Sequence, residues 1–244
     1  MSIENINILA VSDIESSTLQ TLLHDISAIR GKIDLLISCG DLRHDYLSFL
    51  ADTLNLELLY VFGNHDLYQK KSAAQNKTDS YGMPTFSARK GFPGTNLSGK
   101  LIQCSRCIIT GFEGSRWYNG QGIQYHEKEM LSSVKKTMKK IRLRKIIGKI
   151  ARQKKMPFLV VSHAPVQGIH DLDDQCHKGF SCFKKFIDKI QPALWLHGHI
   201  HQPSLIKNQI SVYKHTTIVN VCEYRFISIS EAGRVRVSHQ FQKI

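Results

Sequence analysis

The chain has 244 residues, 42% of them hydrophobic, which is long and apolar enough to bury a core and excludes a disordered polymer. Its net charge of +13 points toward phosphate-rich or anionic partners, but the charge is local: residues Val134 to Lys155 carry eleven Lys or Arg and no acid, leaving +2 elsewhere. No run approaches the roughly 20 apolar residues of a membrane span, the opening MSIENINILA has no basic leader region, and six scattered cysteines fit the reduced thiols of a cytoplasmic protein.

The first sixty residues alternate. INILAV reads as a strand, LQTLLHDISAI as a helix, DLLISCG as a strand, HDYLSFLADTL as a helix and LELLYVFG as a strand. Such alternation predicts parallel strands joined by crossover helices. From Asp66 to Lys100 the chain is rich in polar residues, Gly and Pro, which predicts surface loops. KLIQCSRCIITGF then reads as a strand, and with no second CxxC in the chain its Cys104 and Cys107 are not read as a zinc knuckle.

The segment 134–155 follows, with Val134, Met138 and Ile141 at helical spacing, and predicts an amphipathic basic helix. Such a helix is either a solvated face or a patch for a nucleic-acid backbone or anionic lipid. Beyond it come the strand FLVVSHAP, the helix CFKKFIDKI and the strand ALWLHG. TTIVNV, RFISIS and RVRVSHQF read as an antiparallel meander. The expectation is one domain over residues 1–244, with two sheets and helices outside.

Five of these strands end in similar punctuation: SDIE, CGDLRHD, FGNHD, VSHAP and HGHIH. In open α/β sheets ligands bind beyond the carboxyl ends of strands, so the five ends can meet in one crevice. They deliver carboxylates, imidazoles and one carboxamide, a donor set suited to paired divalent cations. Core packing gives no reason for five such ends in a row. Locally, Asp13 remains open between a helix cap and a ligand.

The motifs GNHD at Gly63 to Asp66 and GHIH at Gly198 to His201, with GD at Gly40–Asp41 and the His of VSHAP, resemble the calcineurin-like metallophosphoesterases. The resemblance runs from Asp13 to His201 and implies a four-layer αββα sandwich of two mixed sheets flanked by helices. It implies one cation held by Asp13, Asp41, His201 and the residue two after Asp13, here Glu15, which either ligates directly, reaches the cation through a water or does not bind. It implies a second cation held by Asp41, Asn64, His163 and His199, with Asp41 bridging. The family's usual first motif is Asp-x-His, and here it reads Asp13-Ile14-Glu15. A carboxylate in that place hardens the site toward Mn²⁺ or Mg²⁺, so Mn²⁺ is the expected ion, with Mg²⁺, Fe and Zn²⁺ as alternatives.

By the same resemblance His65 is the catalytic acid, and Asp66 fixes its tautomer. His44 and Arg43, in GDLRH, and Arg116 and His170, in two polar loops, are expected at the substrate phosphate. The implied function is hydrolysis of a phosphorylated small molecule, as a phosphodiester or phosphomonoester. The alternatives are a nuclease or phosphodiesterase docked on nucleic acid by the basic helix, and a non-catalytic metal-binding scaffold. Retention of His65 favours the enzyme.

Overall fold

The structure is a computed structural model that describes residues 5–24, 29, 31–66, 94–104, 106–150, 156–201 and 208–240. The loop expected at 66–100 therefore falls mostly outside the described residues.

Two six-stranded sheets form the centre. In the first, β1 (Ile6–Ser12), β2 (Leu35–Ser38), β3 (Leu58–Tyr60) and β4 (Thr95–Asn96) run parallel. On the other side of β1 lie β13 (Glu223–Ile229) and β14 (Val235–Ser238), both paired antiparallel. In the second, β6 (Cys107–Phe112), β9 (Phe158–Ser162), β10 (Leu194–His197) and β12 (Thr216–Asn220) are parallel. Its edges are β5 (Leu101–Cys104) and β11 (Ile210–Tyr213), both antiparallel to their neighbours. A two-stranded ribbon joins β7 (Ser115–Arg116) to β8 (Gln124–Tyr125).

The period-2 alternation of strand side chains creates the layers. On β1, Ile6, Ile8 and Ala10 face the second sheet, where Leu159, Val161, Leu194 and Leu196 meet them. Leu9 and Val11 point the other way, under α1 (Ser17–His24) and α2 (His44–Leu54), through Leu19, Leu23, Leu47 and Leu50. The outer face of the second sheet, with Phe112, Val160 and Trp195, packs against α3 (Glu127–Ile150) and α4 (Ser181–Ile190). Both sheets are thus buried on two faces, which explains why their strands read as continuous apolar runs. The architecture is the expected αββα sandwich.

Two sequence expectations change. KLIQCSRCIITGF is not one strand but a hairpin, β5 against β6, with Cys104 paired opposite Cys107 in the register; all six cysteines are free thiols. The C-terminal meander is also split. β12 pairs with β10, while β13 crosses to pair with β1 in the other sheet. The crossing occurs at Cys222 and Glu223, whose φ angles of 21° and 75° turn the backbone between the two runs TTIVNV and RFISIS. The basic helix begins at Glu127, seven residues before the charge run, and residues 151–155 lie outside the described part.

Candidate metal centre

Within four residues of the ends of the five punctuated strands stand Asp13, Asp41, Asn64, His163 and His199, and three of these residues turn the chain at once. Asp13, Asp41 and His199 have φ of 61°, 56° and 68°, a left-handed conformation uncommon for non-glycine residues, in which Asp, Asn and His are enriched. Close glycines let the loops meet. A Cβ on Gly63 would lie 2.1 Å from Asp41 Oδ1, and one on Gly198 would lie 2.5 Å from Asp13 Oδ2. The glycines of GNHD and GHIH are there because the Asp41 carboxylate, and the Ser12 hydroxyl with the Asp13 carboxylate, occupy the space of a side chain.

His163, fully buried, is at the middle. Its Nδ1 is 2.9 Å from the carbonyl of Cys39, to which it donates, so Nε2 faces the site. Nε2 lies 2.9 Å from Asn64 Oδ1 and 3.3 Å from Asp41 Oδ2. Asn64 is oriented by its amide, which donates to Tyr118 Oη at 3.2 Å. With Nδ1 carrying the proton of a neutral ring, Nε2, the carboxylate and the amide oxygen are three acceptors facing one another. Only a shared cation, a proton or a metal, reconciles them.

His199 completes the group: a ring nitrogen of His199 and of His163 and an oxygen of Asp41 lie within 4.8 Å of one another. Its Nε2 donates to the carbonyl of Cys176 at 2.9 Å, leaving Nδ1 as the free lone pair. Its backbone N–H donates to both carboxylate oxygens of Asp13, at 3.1 and 3.0 Å. The donor set fits a divalent cation.

The electrostatics are those of a crowded buried site. Burial works against the Asp41 carboxylate, but His163 and the N–H of His65 outweigh it and bring Asp41 down to about 2. Burial also works against a charged His163, but Asp41 overcomes it and raises the imidazole to about 9. Burial, with the charge of His163, lowers His199 to about 3. Asp13 is raised by burial.

Not every expected residue joins this group. Glu15 is exposed, with Oε1 3.8 Å from Arg43 Nε. His201 is exposed, with its ring 5.9 Å from that of His177. His65 stands exposed at the rim, and its backbone N–H donates to Asp41 Oδ1 at 2.9 Å. Asp66 contacts backbone groups of its own and a neighbouring loop. Its Oδ2 accepts from the backbone N–H groups of Gly63 at 2.7 Å and Asp41 at 3.1 Å, tying two loops together, and no hydrogen bond to the His65 ring is found. Burial and the nearby Asp41 raise Asp66 to about 6.

The expected phosphate contacts are also engaged elsewhere. Arg43 pairs with Asp45. His44 is half-buried in the first turn of α2, near Ser48. Arg116 donates to the carbonyl of Gly179 at 3.3 Å and lies 3.9 Å from Glu127. His170 is buried in a chain in which its Nδ1 lies 3.0 Å from His197 Nε2 and its Nε2 lies 2.8 Å from Ser211 Oγ. Sequence reasoning passed over Tyr118 and Cys176 as orienting groups, although both stand in the polar loops it marked. A carbonyl that holds a histidine leaves no side-chain signature.

Residues 6–203 match the family described as calcineurin-like phosphoesterase. No curated protein matches the sequence. Among solved structures, one shares 13% identity over 96% of this chain and 99% of its own, with a TM-score of 0.57. The protein TT1561 of Thermus thermophilus also shares 13% identity, over 96% and 99%, with a TM-score of 0.52. A dimetal phosphatase from Danio rerio shares 11% over 95% and 98%, with a TM-score of 0.45. At these identities the likeness is one of fold.

Proposed function

The chain belongs to the calcineurin-like phosphoesterase family, and from that premise we propose that it hydrolyses a small phosphodiester or phosphomonoester at a centre of two divalent cations, Mn²⁺ first among them. It is a hydrolase of phosphoric ester bonds. The observation that carries the metal reading is the cluster in which a ring nitrogen of His163, a ring nitrogen of His199 and an oxygen of Asp41 lie within 4.8 Å of one another. On this reading Asp41, Asn64, His163 and His199 hold one cation. Asp13 and Asp41 hold the other, and Glu15 and His201 reach it from their exposed positions. The whole of residues 1–244 is one catalytic domain.

When bound, paired cations supply a nucleophile at neutral pH and neutralise phosphoryl oxygens during in-line displacement. The chain does the rest. Cys39 and Cys176, through their carbonyls, fix which ring nitrogens of His163 and His199 are basic. Asp66 holds the loop that presents His65, and the His65 imidazole, exposed at the rim, hands a proton to the leaving oxygen.

The test is a panel of aryl monoesters, aryl diesters, cyclic nucleotides and single-stranded DNA with added Mn²⁺. Turnover of an aryl ester that a chelator abolishes is expected; no metal-dependent turnover of any phosphoester would reject the proposal. Elemental analysis should find two Mn²⁺ per chain. Glu15→His should retain activity and shift the preference toward softer ions. An unchanged metal profile would remove Glu15 from the ligand set.

A further inference from the structure

The basic helix has two apolar stripes, and the fold uses one. Val134, Met138 and Ile141 are buried on Phe112, Val160 and their neighbours. Leu143, Ile146 and Ile147 recur at the spacing of one helix face, yet are 60%, 57% and 54% exposed. At 100° per residue these three centre about 180° from the buried stripe, so they look straight out to solvent.

Cations rim this outward stripe. Lys140 donates to the carbonyl of Gly99 at 2.7 Å and Arg144 donates to Gln103, so both are tied back to the protein. Lys139 and Arg142 remain exposed in the distal half of the helix, with Lys135 and Lys136 exposed about two turns before Leu143, and the run from 134 to 155 contains no acid.

Three features choose the occupant. A solvent-facing apolar stripe flanked by Lys and Arg matches a helix lying in a bilayer interface, with apolar groups below the headgroups and cations among them. A second copy of this chain would set two acid-free clusters of cations against each other. A nucleic-acid backbone would use the cations but leave Leu143, Ile146 and Ile147 idle, and the run carries no aromatic residue on which bases could stack. We infer that the distal half of α3 is a docking face for the surface of an anionic phospholipid bilayer. Among the described residues no helix is long and apolar enough to cross a membrane, so the contact is peripheral.

The placement leaves the metal centre open. Arg144 meets Gln103, which pairs with Ile108 near the start of β6, whereas the candidate ligands follow the opposite, carboxyl ends of the parallel strands. The docking face and the centre lie toward opposite ends of the sheet, so a docked molecule keeps its centre accessible to small soluble esters.

Sedimentation of the full chain with phosphatidylcholine vesicles, and with an equal mixture of phosphatidylcholine and phosphatidylglycerol, tests this. Binding is expected to the mixed vesicles alone and should weaken with salt. Lys139→Glu/Arg142→Glu should weaken it by at least about fivefold per charge. Leu143→Gln/Ile146→Gln/Ile147→Gln, on fully outward positions, should keep the circular dichroism spectrum and hydrolysis of a soluble aryl ester while losing vesicle binding. Wild-type protein that ignores anionic vesicles at low salt would overturn the inference. So would a triple Gln variant that binds vesicles as wild type does, or binding to duplex DNA that the Gln variant loses equally. None of these results bears on the hydrolase reading, which has its own assay.

Discussion

Asp41→Ala should leave a folded protein that holds at least one cation fewer and turns over no phosphoester, whatever its leaving group. Asp41 is the residue at which the site's contacts converge: Oδ2 faces His163 at 3.3 Å and Oδ1 accepts the His65 N–H at 2.9 Å. Groups that merely orient a ligand cost 10- to 100-fold in metal affinity when removed, so on the proposed assignment, in which Asp41 is shared by two ions, its loss should cost roughly 10²-fold or more. The hydrogen bond from His65 is lost as well, and the GNHD loop loosens. Elemental analysis of the purified variant, beside circular dichroism to establish folding, measures this directly. A variant with full metal content and full activity would remove Asp41 from the centre.

His65→Ala separates chemistry from metal holding. The side chain is at the rim and outside the group of converging nitrogens and oxygens, so metal content should stay as in wild type. General acid catalysis is worth about 10²- to 10⁴-fold, and kcat on a poor leaving group should fall by that factor. With nitrophenolate, which leaves without a proton, the loss should shrink. Asp66→Asn should be milder, for a reason the structure supplies. Its remaining oxygen can still accept from Gly63 and Asp41, and its amide would occupy the place of Oδ1, which is buried and has no hydrogen-bond partner among the described residues. Wild-type turnover by His65→Ala on poor leaving groups would favour the non-catalytic scaffold.

Much of the fold was legible because strands buried on both faces must be apolar throughout and must end abruptly. INILAV followed by Ser and Asp is such an ending, and α2 was read to its residue bounds from HDYLSFLADTL. The hairpin that pairs Cys104 with Cys107 was hidden because the two residues between them, Ser and Arg, include no glycine or asparagine to announce a tight reversal. The sheet change at Cys222 and Glu223 was hidden because apolar runs do not say which neighbour they pair with. Within the site, side chains at strand ends could be found from spacing. The polar loops could not be oriented: Arg116 and His170 have the right chemistry for a phosphate but bond to Gly179 and His197 instead.

The two sheets contribute unequally but jointly to the centre: Asp13, Asp41 and Asn64 follow strands of the first, and His163 and His199 follow strands of the second. On the proposed assignment, a cation there is a cross-link between layers as much as a reagent, because the unfolded chain offers no such convergence of ligands. Folding and loading then become one linked equilibrium. At a free concentration about one hundred times its dissociation constant, a single ion adds about 2.7 kcal/mol to the folded state. For a chain of this size that corresponds to a melting temperature higher by roughly 5–10 °C. The availability of metal would set how long this protein persists as well as how fast it works.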